Sequence, residues 1–381
     1  MKITRRKLLA LALVAAGGLG VWWFLRRRRR LGFTPTQGEV HAARAWLGRH
    51  RALDAHAHPG RTFVRDARGL SLPLRAYAAL GTFEEETVRD MLLGGVGAAV
   101  FAAVADFPVL GISRSGLRAV REFEPGEAFS SYRRQVANLR RLAERGLVRI
   151  VEKPEEAGQS DVQRPGMILG VEGGDFLEGR AERLEEAYRD GIRVLTLVHY
   201  RTNELGDIQT EEPRHGGLTA VGREVVREMN RLGIVIDVAH GSEATVRGVL
   251  DISSKPVLAS HTHIHRESTP PRSFPKNRFV SLDLARAVAE AGGVVGAWPA
   301  GIGISTLAEF ADRIAELVDA VGAEHVCLGT DMDANYRAVL SSYADLPFLV
   351  VALGRRGFGE TELEKILRGN LLRLLEAVWR P

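Results

Sequence analysis

TAVGREVVREMNRLGIVIDVAH, residues 219–240, joins an amphipathic segment to a short apolar run that ends in a histidine. The first part has apolar residues at helical spacing with Arg and Glu between them, as in a helix packed on one side. The second part, residues 233–240, has the length and the continuous apolar character of a buried strand. This stretch is therefore one unit of alternating helix and strand.

The same kind of unit recurs along the chain and predicts the fold. Strand-like runs fall at residues 52–56, 96–104, 166–173, 193–199, 233–240, 256–261, 293–300 and 325–331. Most of them are separated by a helix-length segment rich in Arg, Glu, Ala and Leu. Eight such units predict a single α/β domain, a closed (β/α)8 TIM barrel. A doubly wound open sheet is the alternative.

Composition and charge exclude several classes of protein. The chain has 381 residues, 45% hydrophobic and 26% charged, which suits a globular protein with a large core. Residues 1–30 contain nine Lys and Arg and no acidic residue, so the rest of the chain, with 43 basic and 47 acidic residues, carries about −4. This body has no nucleic-acid-binding character. Cys327 is the only cysteine, which excludes an internal disulfide.

The N-terminal segment has the pattern of a membrane anchor. Leu8 to Leu25 is a run of 18 uncharged residues, which as a helix would rise about 27 Å. Trp22 and Trp23 fall where an aromatic belt would lie. The preceding ITRRKLLALAL, with Arg5 and Arg6, resembles a twin-arginine export signal. We expect a retained transmembrane helix, with a cleaved signal peptide as the alternative.

These features divide the chain into three parts. Residues 1–30 form the expected signal or anchor, residues 31–51 a linker helix, and residues 52–381 the barrel. The export-like signal favours an extracytoplasmic position, in the cell envelope, for the barrel.

Histidines and carboxylates lie where the predicted strands end, at the edge that carries the active site in such barrels. They are His56, His58, Glu172, His199, His240, His261 and Asp331. His56 and His58 share one face of an extended strand and can bind one metal ion. For that pair alone, a polar strand end in solvent is the alternative.

Glu172, His240 and His261 extend this prediction to other strands. Glu172 ends an apolar run and precedes two glycines, which favours a metal ligand over a residue that caps the following loop. His240 and His261 end adjacent strands. Each alone would be read as a buried core histidine, but two in the same barrel mouth as His56 favour metal ligation.

Other polar residues near the strand ends leave alternatives. Asp331 and Asp333 compete for an acid/base role, and Asp331 is nearer the strand. His263 and His265 continue the alternation after His261, but they lie beyond the strand and are weaker candidates.

Five segments of the chain carry a family resemblance. They are GVEGGDFLEG, GIRVLTLVH, GLTAVGREVVREMNRLGIVIDVAH, PVLASH and LGTDMD, in this order. From about Leu53 onward the chain resembles the membrane (renal-type) dipeptidases, which are zinc-dependent barrel hydrolases of the amidohydrolase type. The resemblance implies a small dipeptide substrate, hydrolysed by a hydroxide that bridges two zinc ions.

The resemblance also implies roles for individual residues. His56 and His58 would hold one zinc ion, His240 and His261 the other, and Glu172 would bridge them. His199 would contact the substrate and its tetrahedral intermediate, and Asp331 would be the acid/base residue. An arginine before the helix that leads to strand seven would bind the substrate carboxylate. Arg278 fits that place best and Arg272 is the second candidate.

One departure from the family concerns His58. The family usually has His-x-Asp on the first strand, whereas this chain has His-x-His. Imidazole also coordinates zinc, but replacing an anionic ligand by a neutral one raises the net charge of the site by one. A hydrolase of other amides, lactones or esters is therefore a second hypothesis, and a non-catalytic barrel scaffold is a third. The sequence leaves a homodimer open.

Overall fold

The structure is a computed structural model that describes residues 30–113, 116–159, 163–265, 278–335 and 337–379. Its main sheet contains the strands β1 (Ala52–Ala57), β2 (Val96–Val104), β6 (Gly166–Glu172), β7 (Val194–Thr196), β8 (Val235–Asp237), β9 (Leu258–Thr262), β10 (Val294–Ala297) and β11 (Val326–Leu328). They lie in the order β1-β2-β6-β7-β8-β9-β10-β11, and every neighbouring pair is parallel. Each falls within or overlaps a predicted run, and the predicted TIM barrel is confirmed.

Within the described ranges, three further strands lie off this path. β3 (Leu110–Ser113) and β4 (Gly116–Ala119) form an antiparallel hairpin, and β5 (Arg149–Ile150) pairs with β6.

The barrel closes between its first and last strands near their carboxyl ends. The amide of His58 donates to the carbonyl oxygen of Met332 at 2.9 Å, and the amide of Asp331 donates to that of His56 at 2.8 Å. Candidate site residues therefore lie on the seam that joins the two ends of the sheet.

Helices connect the strands and cover the outside of the barrel. In chain order, α1 to α13 are Gln37–His50, Leu72–Ala78, Glu84–Gly94, Glu127–Glu144, Pro154–Ala157, Arg183–Arg189, Ala220–Leu232, Glu243–Leu250, Leu282–Glu290, Leu307–Val321, Leu346–Gly354, Glu360–Glu364 and Asn370–Trp379. A π-helical turn, Lys365–Gly369, joins the last two.

Helix α7 shows how the sequence sets these boundaries. The Thr219 side chain accepts a hydrogen bond from the amide of Gly222, which caps the start of the helix. Gly233, with a φ of 74°, ends it, and Val226 and Met229 are buried on its inner face.

The barrel interior is filled with apolar side chains, and helix α13 closes its amino-terminal end. Leu371, Leu374 and Leu375 of α13 belong to the same buried cluster as the strand residues Leu53 and Val294. Arg373 donates to the carbonyl oxygen of Gly292, just before β10, which fixes the helix at that end. The carboxyl end of the barrel is therefore the one that can admit a ligand.

The predicted anchor, Leu8 to Leu25, lies outside the described residues. No helix within the described ranges is long and apolar enough to cross a bilayer. The segment predicted as a linker contains helix α1, which buries Ala43, Trp46 and Leu47 and contacts α11. Its role as a linker stays a prediction.

The close approach of neighbouring strands gives a test of the barrel. A Cβ added at Gly296 in β10 would overlap the carbonyl oxygen of Ser260 in β9. We expect Gly296→Ala to reduce the free energy of unfolding by about 1–3 kcal/mol or more, because the packed strands cannot separate. Gly48→Ala is the control: it lies in exposed helix with no atom within 4 Å and should stabilise by about 0.5–1 kcal/mol. Denaturant unfolding measures both, and equal effects would contradict the packing argument.

Candidate metal centre

Four histidines and one glutamate meet at the carboxyl end of the barrel, and all five are buried. His56 lies in β1, and His58 follows that strand directly. Glu172 is the last residue of β6, and His261 lies in β9. His240 follows β8 by three residues. The fold therefore brings all the sequence-predicted ligands together.

Glu172 lies between two pairs of imidazole rings. On one side, the Nε2 atoms of His56 and His58 are each 3.4 Å from a carboxylate oxygen and 3.2 Å from each other. On the other side, Nε2 of His240 is 3.0 Å and Nε2 of His261 is 3.6 Å from Oε1, and the two nitrogens are 3.0 Å apart.

These separations fit cation binding. Ligand atoms bound tetrahedrally to one zinc ion at about 2.0–2.1 Å are roughly 3.3 Å apart. The separations are 3.2–3.4 Å in the group with His56 and His58 and 3.0–3.6 Å in the group with His240 and His261. Each group, His56 with His58 and Glu172, or Glu172 with His240 and His261, has its ligand atoms within 4.8 Å of one another. The carboxylate can thus serve both groups.

The electrostatics of the site also favour cations. Burial would raise the pKa of Glu172, but the neighbouring His199 and His56 lower it well below its ordinary range. Burial, together with the charge of Arg278, lowers the pKa of His240, while burial and nearby imidazoles lower that of His261. The carboxylate is therefore ionised and both imidazoles are neutral, which are the metal-binding forms.

His58 differs from those two histidines. Burial lowers its pKa, but hydrogen bonds with Asp331 and Glu172 outweigh burial and raise the pKa to about 10. Its Nδ1 is 2.9 Å from the carbonyl oxygen of Ala102, which leaves Nε2 facing the two carboxylates. The negative field that raises this pKa is one that also attracts a metal cation.

The structure separates the two candidate acid/base residues. Oδ1 of Asp331 is 3.4 Å from Nε2 of His58, and its Oδ2 accepts a hydrogen bond from Trp298 Nε1 at 3.2 Å. Asp333 instead accepts from the amide of Gly60 and the hydroxyl of Thr87, both at 2.7 Å, and holds a neighbouring loop. Only Asp331 of this pair reaches the histidine cluster.

His199 lies beside Glu172 and has a carboxylate behind it. Its Nε2 is 3.3 Å from Oε2 of Glu172, and its Nδ1 is 2.7 Å from Oδ1 of Asp106. Asp106 is fully buried and also accepts from the amide of Tyr200 at 3.0 Å. Because Asp106 binds both His199 Nδ1 and the next backbone amide, it fixes the orientation of the His199 ring toward the site.

Arg278 brings a buried positive charge to the same cavity. Its Nη2 is 3.3 Å from Nε2 of His240, and its Cζ lies over the Trp298 ring, 4.7 Å from the ring centroid. Nε and Nη1 have no hydrogen-bond partner among the described residues. A buried guanidinium is costly unless an anion pairs with it, so this position suits a ligand carboxylate. Arg272, the other sequence candidate, lies outside the described residues.

The remaining histidine candidates lie elsewhere. His263 is buried, with its ring centroid 5.7 Å from Phe279 and 6.1 Å from Phe310. His265 is exposed. Neither belongs to the two groups of ligand atoms around Glu172.

Sequence reasoning missed three side chains that line the site. Asp106 follows β2 and Trp298 follows β10, so a position after a predicted strand is the signal in the sequence that points to each of them. Tyr200 follows His199 and contacts it, with ring centroids 4.5 Å apart. Burial raises the pKa of Tyr200 to about 12, so its hydroxyl stays protonated and can donate a hydrogen bond.

Known proteins resemble this chain in sequence and fold. Dipeptidase aclJ of Aspergillus oryzae is 33% identical over 222 residues, covering 56% of this chain and 51% of that protein. Dipeptidase 3 of Rattus norvegicus is 32% identical over 237 residues, covering 58% of this chain and 46% of that protein. The chain thus spans about half the length of these curated relatives.

A solved structure extends the fold comparison. A metallo peptidase from Rhodobacter sphaeroides, liganded with a phosphinate mimic of the dipeptide L-Ala-D-Ala, has a TM-score of 0.70 and 21% identity. The match covers 87% of this chain and 99% of that one, which shows a shared fold.

The sequence profile described as membrane dipeptidase (peptidase family M19) matches residues 43–380. Because this match covers nearly the whole chain, the protein belongs to the membrane dipeptidase family.

Proposed function

We propose that this protein is a zinc-dependent dipeptidase that hydrolyses the peptide bond of dipeptides. The observation that carries the proposal is the position of Glu172, which is shared by two pairs of histidines with a buried arginine beside them. Family membership supports the reaction class, since its members are described as dipeptidases.

The proposal assigns the ligand atoms to two zinc ions. His56 and His58 would hold one ion, His240 and His261 would hold the other, and Glu172 would contribute to both. When bound, such a pair lowers the pKa of a water molecule toward neutrality and polarises the carbonyl of the substrate.

Arg278 selects substrates with a free carboxylate. Its guanidinium lies 3.3 Å from a proposed metal ligand, His240. A carboxylate held there lies close to the metal site, so the scissile bond must be the one next to the C-terminal residue. The planar fork of arginine also matches the two carboxylate oxygens. These constraints support cleavage of the C-terminal peptide bond, and family membership supports a dipeptide as the substrate.

His199 and Asp331 complete the proposed mechanism. Burial lowers the pKa of His199, but Asp106 and Glu172 outweigh burial and raise it. The protonated ring donates from Nδ1 to Asp106 and from Nε2 to the carbonyl oxygen of the substrate as negative charge develops on it. Asp331 takes the proton of the attacking water on a carboxylate oxygen and transfers it to the departing amine nitrogen. Trp298 holds the other Asp331 oxygen and so orients the carboxylate.

We further propose that residues 1–30 anchor the protein in a membrane and that residues 31–51 link this anchor to an extracytoplasmic barrel formed by residues 52–381. The support is the uncharged run from Leu8 to Leu25, with basic clusters on both sides and an export-like start.

Metal removal tests the shared role of Glu172. We expect the full-length protein to contain about two zinc equivalents, to cleave dipeptides and to lose activity with a chelator. Glu172→Ala should lose both metals, because each group loses its carboxylate. Elemental mass spectrometry and a dipeptide panel that includes D-residue C-termini measure these outcomes.

Glu224→Ala, at an exposed position of helix α7, is the matched control and should keep metal and activity. A metal-loaded, active Glu172→Ala protein would contradict the shared ligand. Cleavage of lactones or esters but no dipeptide would contradict the proposed substrate.

His58 tests the departure from the family pattern. We expect His58→Asp to keep zinc and activity, since a carboxylate oxygen can replace the imidazole nitrogen as a ligand. His58→Ala should lose affinity for one of the two ions, because it supplies no ligand atom. Zinc titration of both variants separates these cases, and full zinc affinity in His58→Ala would rule out His58 as a ligand.

Arg278 tests substrate selection. We expect Arg278→Lys to raise KM about tenfold or more with little change in zinc content, because a hydrogen bond to a charged group contributes about 1.5–3 kcal/mol. Steady-state kinetics on a dipeptide and on its C-terminal amide provide the comparison. The substitution should raise KM strongly for the dipeptide with a free carboxylate and far less for its C-terminal amide. An unchanged KM for the acid would refute this role.

A further inference from the structure

A chain of buried polar groups lies behind His261, on three adjacent strands of the barrel. Asp237 ends β8, Ser260 precedes His261 in β9, and Thr196 ends β7. All of these side chains are buried, so their hydrogen bonds are made with one another rather than with bulk water.

Asp237 accepts four hydrogen bonds, two on each oxygen. Oδ1 accepts from the backbone amides of Ala239 and Ser260, each at 3.0 Å. Oδ2 accepts from the hydroxyls of Ser260 at 2.7 Å and Thr196 at 2.6 Å. A carboxylate in this position can only accept, so the single hydroxyl proton of Ser260 is committed to Asp237.

That commitment decides the direction of the next hydrogen bond. The hydroxyl oxygen of Ser260 lies 2.8 Å from Nδ1 of His261. Since the hydroxyl has no second proton, Nδ1 must carry the proton and donate it to Ser260. A neutral imidazole protonated at Nδ1 has its lone pair on Nε2, the atom that faces Glu172 and His240.

We propose that Ser260 is a positioning residue that, held by Asp237, fixes His261 in the tautomer whose Nε2 can bind a metal. The need for Asp237 follows from the chemistry of serine. A free hydroxyl could donate to Nδ1 as easily as accept from it, and donation would place the imidazole proton on Nε2, where it would block the metal. This inference deepens the proposed function and rests on His261 being a ligand.

Compared with His58 and His240, His261 has an Nδ1 partner that a substitution can remove. His58 has a backbone carbonyl at Nδ1, which substitution cannot remove. Nδ1 of His240 has no hydrogen-bond partner within the described part of the chain. For His261 the partner is a side chain, so its contribution can be measured directly.

Two substitutions interrupt the hydrogen bonds from Asp237 through Ser260 to His261 in different ways. Ser260→Ala removes the acceptor at Nδ1. Asp237→Asn keeps the side-chain volume but reverses the direction of these hydrogen bonds. Its amide oxygen must face the two backbone N–H groups, so its NH2 must face the hydroxyls. The Ser260 hydroxyl would accept from that NH2 and donate to His261, which favours the wrong tautomer.

Thr196→Val is the matched control. It removes one hydroxyl donor from the same Asp237 oxygen, 2.6 Å away. The hydrogen bond between Ser260 and His261 stays in place. A purely structural role of the Asp237 network predicts the same effect for Thr196→Val and Ser260→Ala.

The experiment combines a tautomer measurement with zinc titration of the full-length protein. Long-range ¹H–¹⁵N spectra of metal-free protein should show His261 protonated at Nδ1 in the wild type and in Thr196→Val, but not uniformly so in Ser260→Ala and Asp237→Asn. Competition with a chromophoric chelator should show zinc affinity about 10- to 100-fold lower in these last two variants and unchanged in Thr196→Val. Thermal unfolding confirms that each variant is folded.

The results that would overturn the inference are distinct from failure of the proposed function. An Nε2-protonated His261 in the metal-free wild type, or equal losses of affinity in Ser260→Ala and Thr196→Val, would overturn it. A wild type that binds no zinc would refute the dipeptidase proposal, and with it the role of Ser260 in metal binding, even if the tautomer is as described.

Discussion

The carboxylate of Glu172 is the group on which the arrangement of the barrel mouth depends. Five imidazole nitrogens lie within 3.6 Å of its two oxygens, contributed by the ends or extensions of four other strands. Buried imidazoles and a buried carboxylate are costly singly, because each loses its hydration. Together they form a polar centre that the parallel barrel assembles by bringing residues far apart in the chain to one edge.

Alternation of strands and helices made the barrel predictable. Each strand is buried on both faces, so it appears in the sequence as a continuous apolar run. Each helix is buried on one side, so its apolar residues recur at helical spacing. The polar residue that ends a run, such as Glu172 or His240, then marks the carboxyl edge. Strand count and site edge thus follow from one-dimensional patterns.

Sequence patterns could not predict the contacts that depend on how two segments of the chain lie relative to each other in the fold. Asp106 is one polar residue among many after a strand, and only the fold shows that it meets His199. The direction of Ser260 toward both Asp237 and His261 has no periodic signature either, because it depends on the register between β8 and β9. The separation of Asp331 from Asp333 likewise depends on loop conformation.

Helix α13 has a consequence for how the domain comes apart. It seals the amino-terminal end of the barrel and packs with residues such as Leu53, more than three hundred positions away in the chain. Such long-range contacts form only after much of the chain has closed on itself, so docking of this helix completes the seal at this end of the barrel. Detachment of α13 would hydrate the interior from the end opposite the histidines. Slow hydrogen exchange in the inner strands would therefore report on the seating of α13, at a distance from the chemistry.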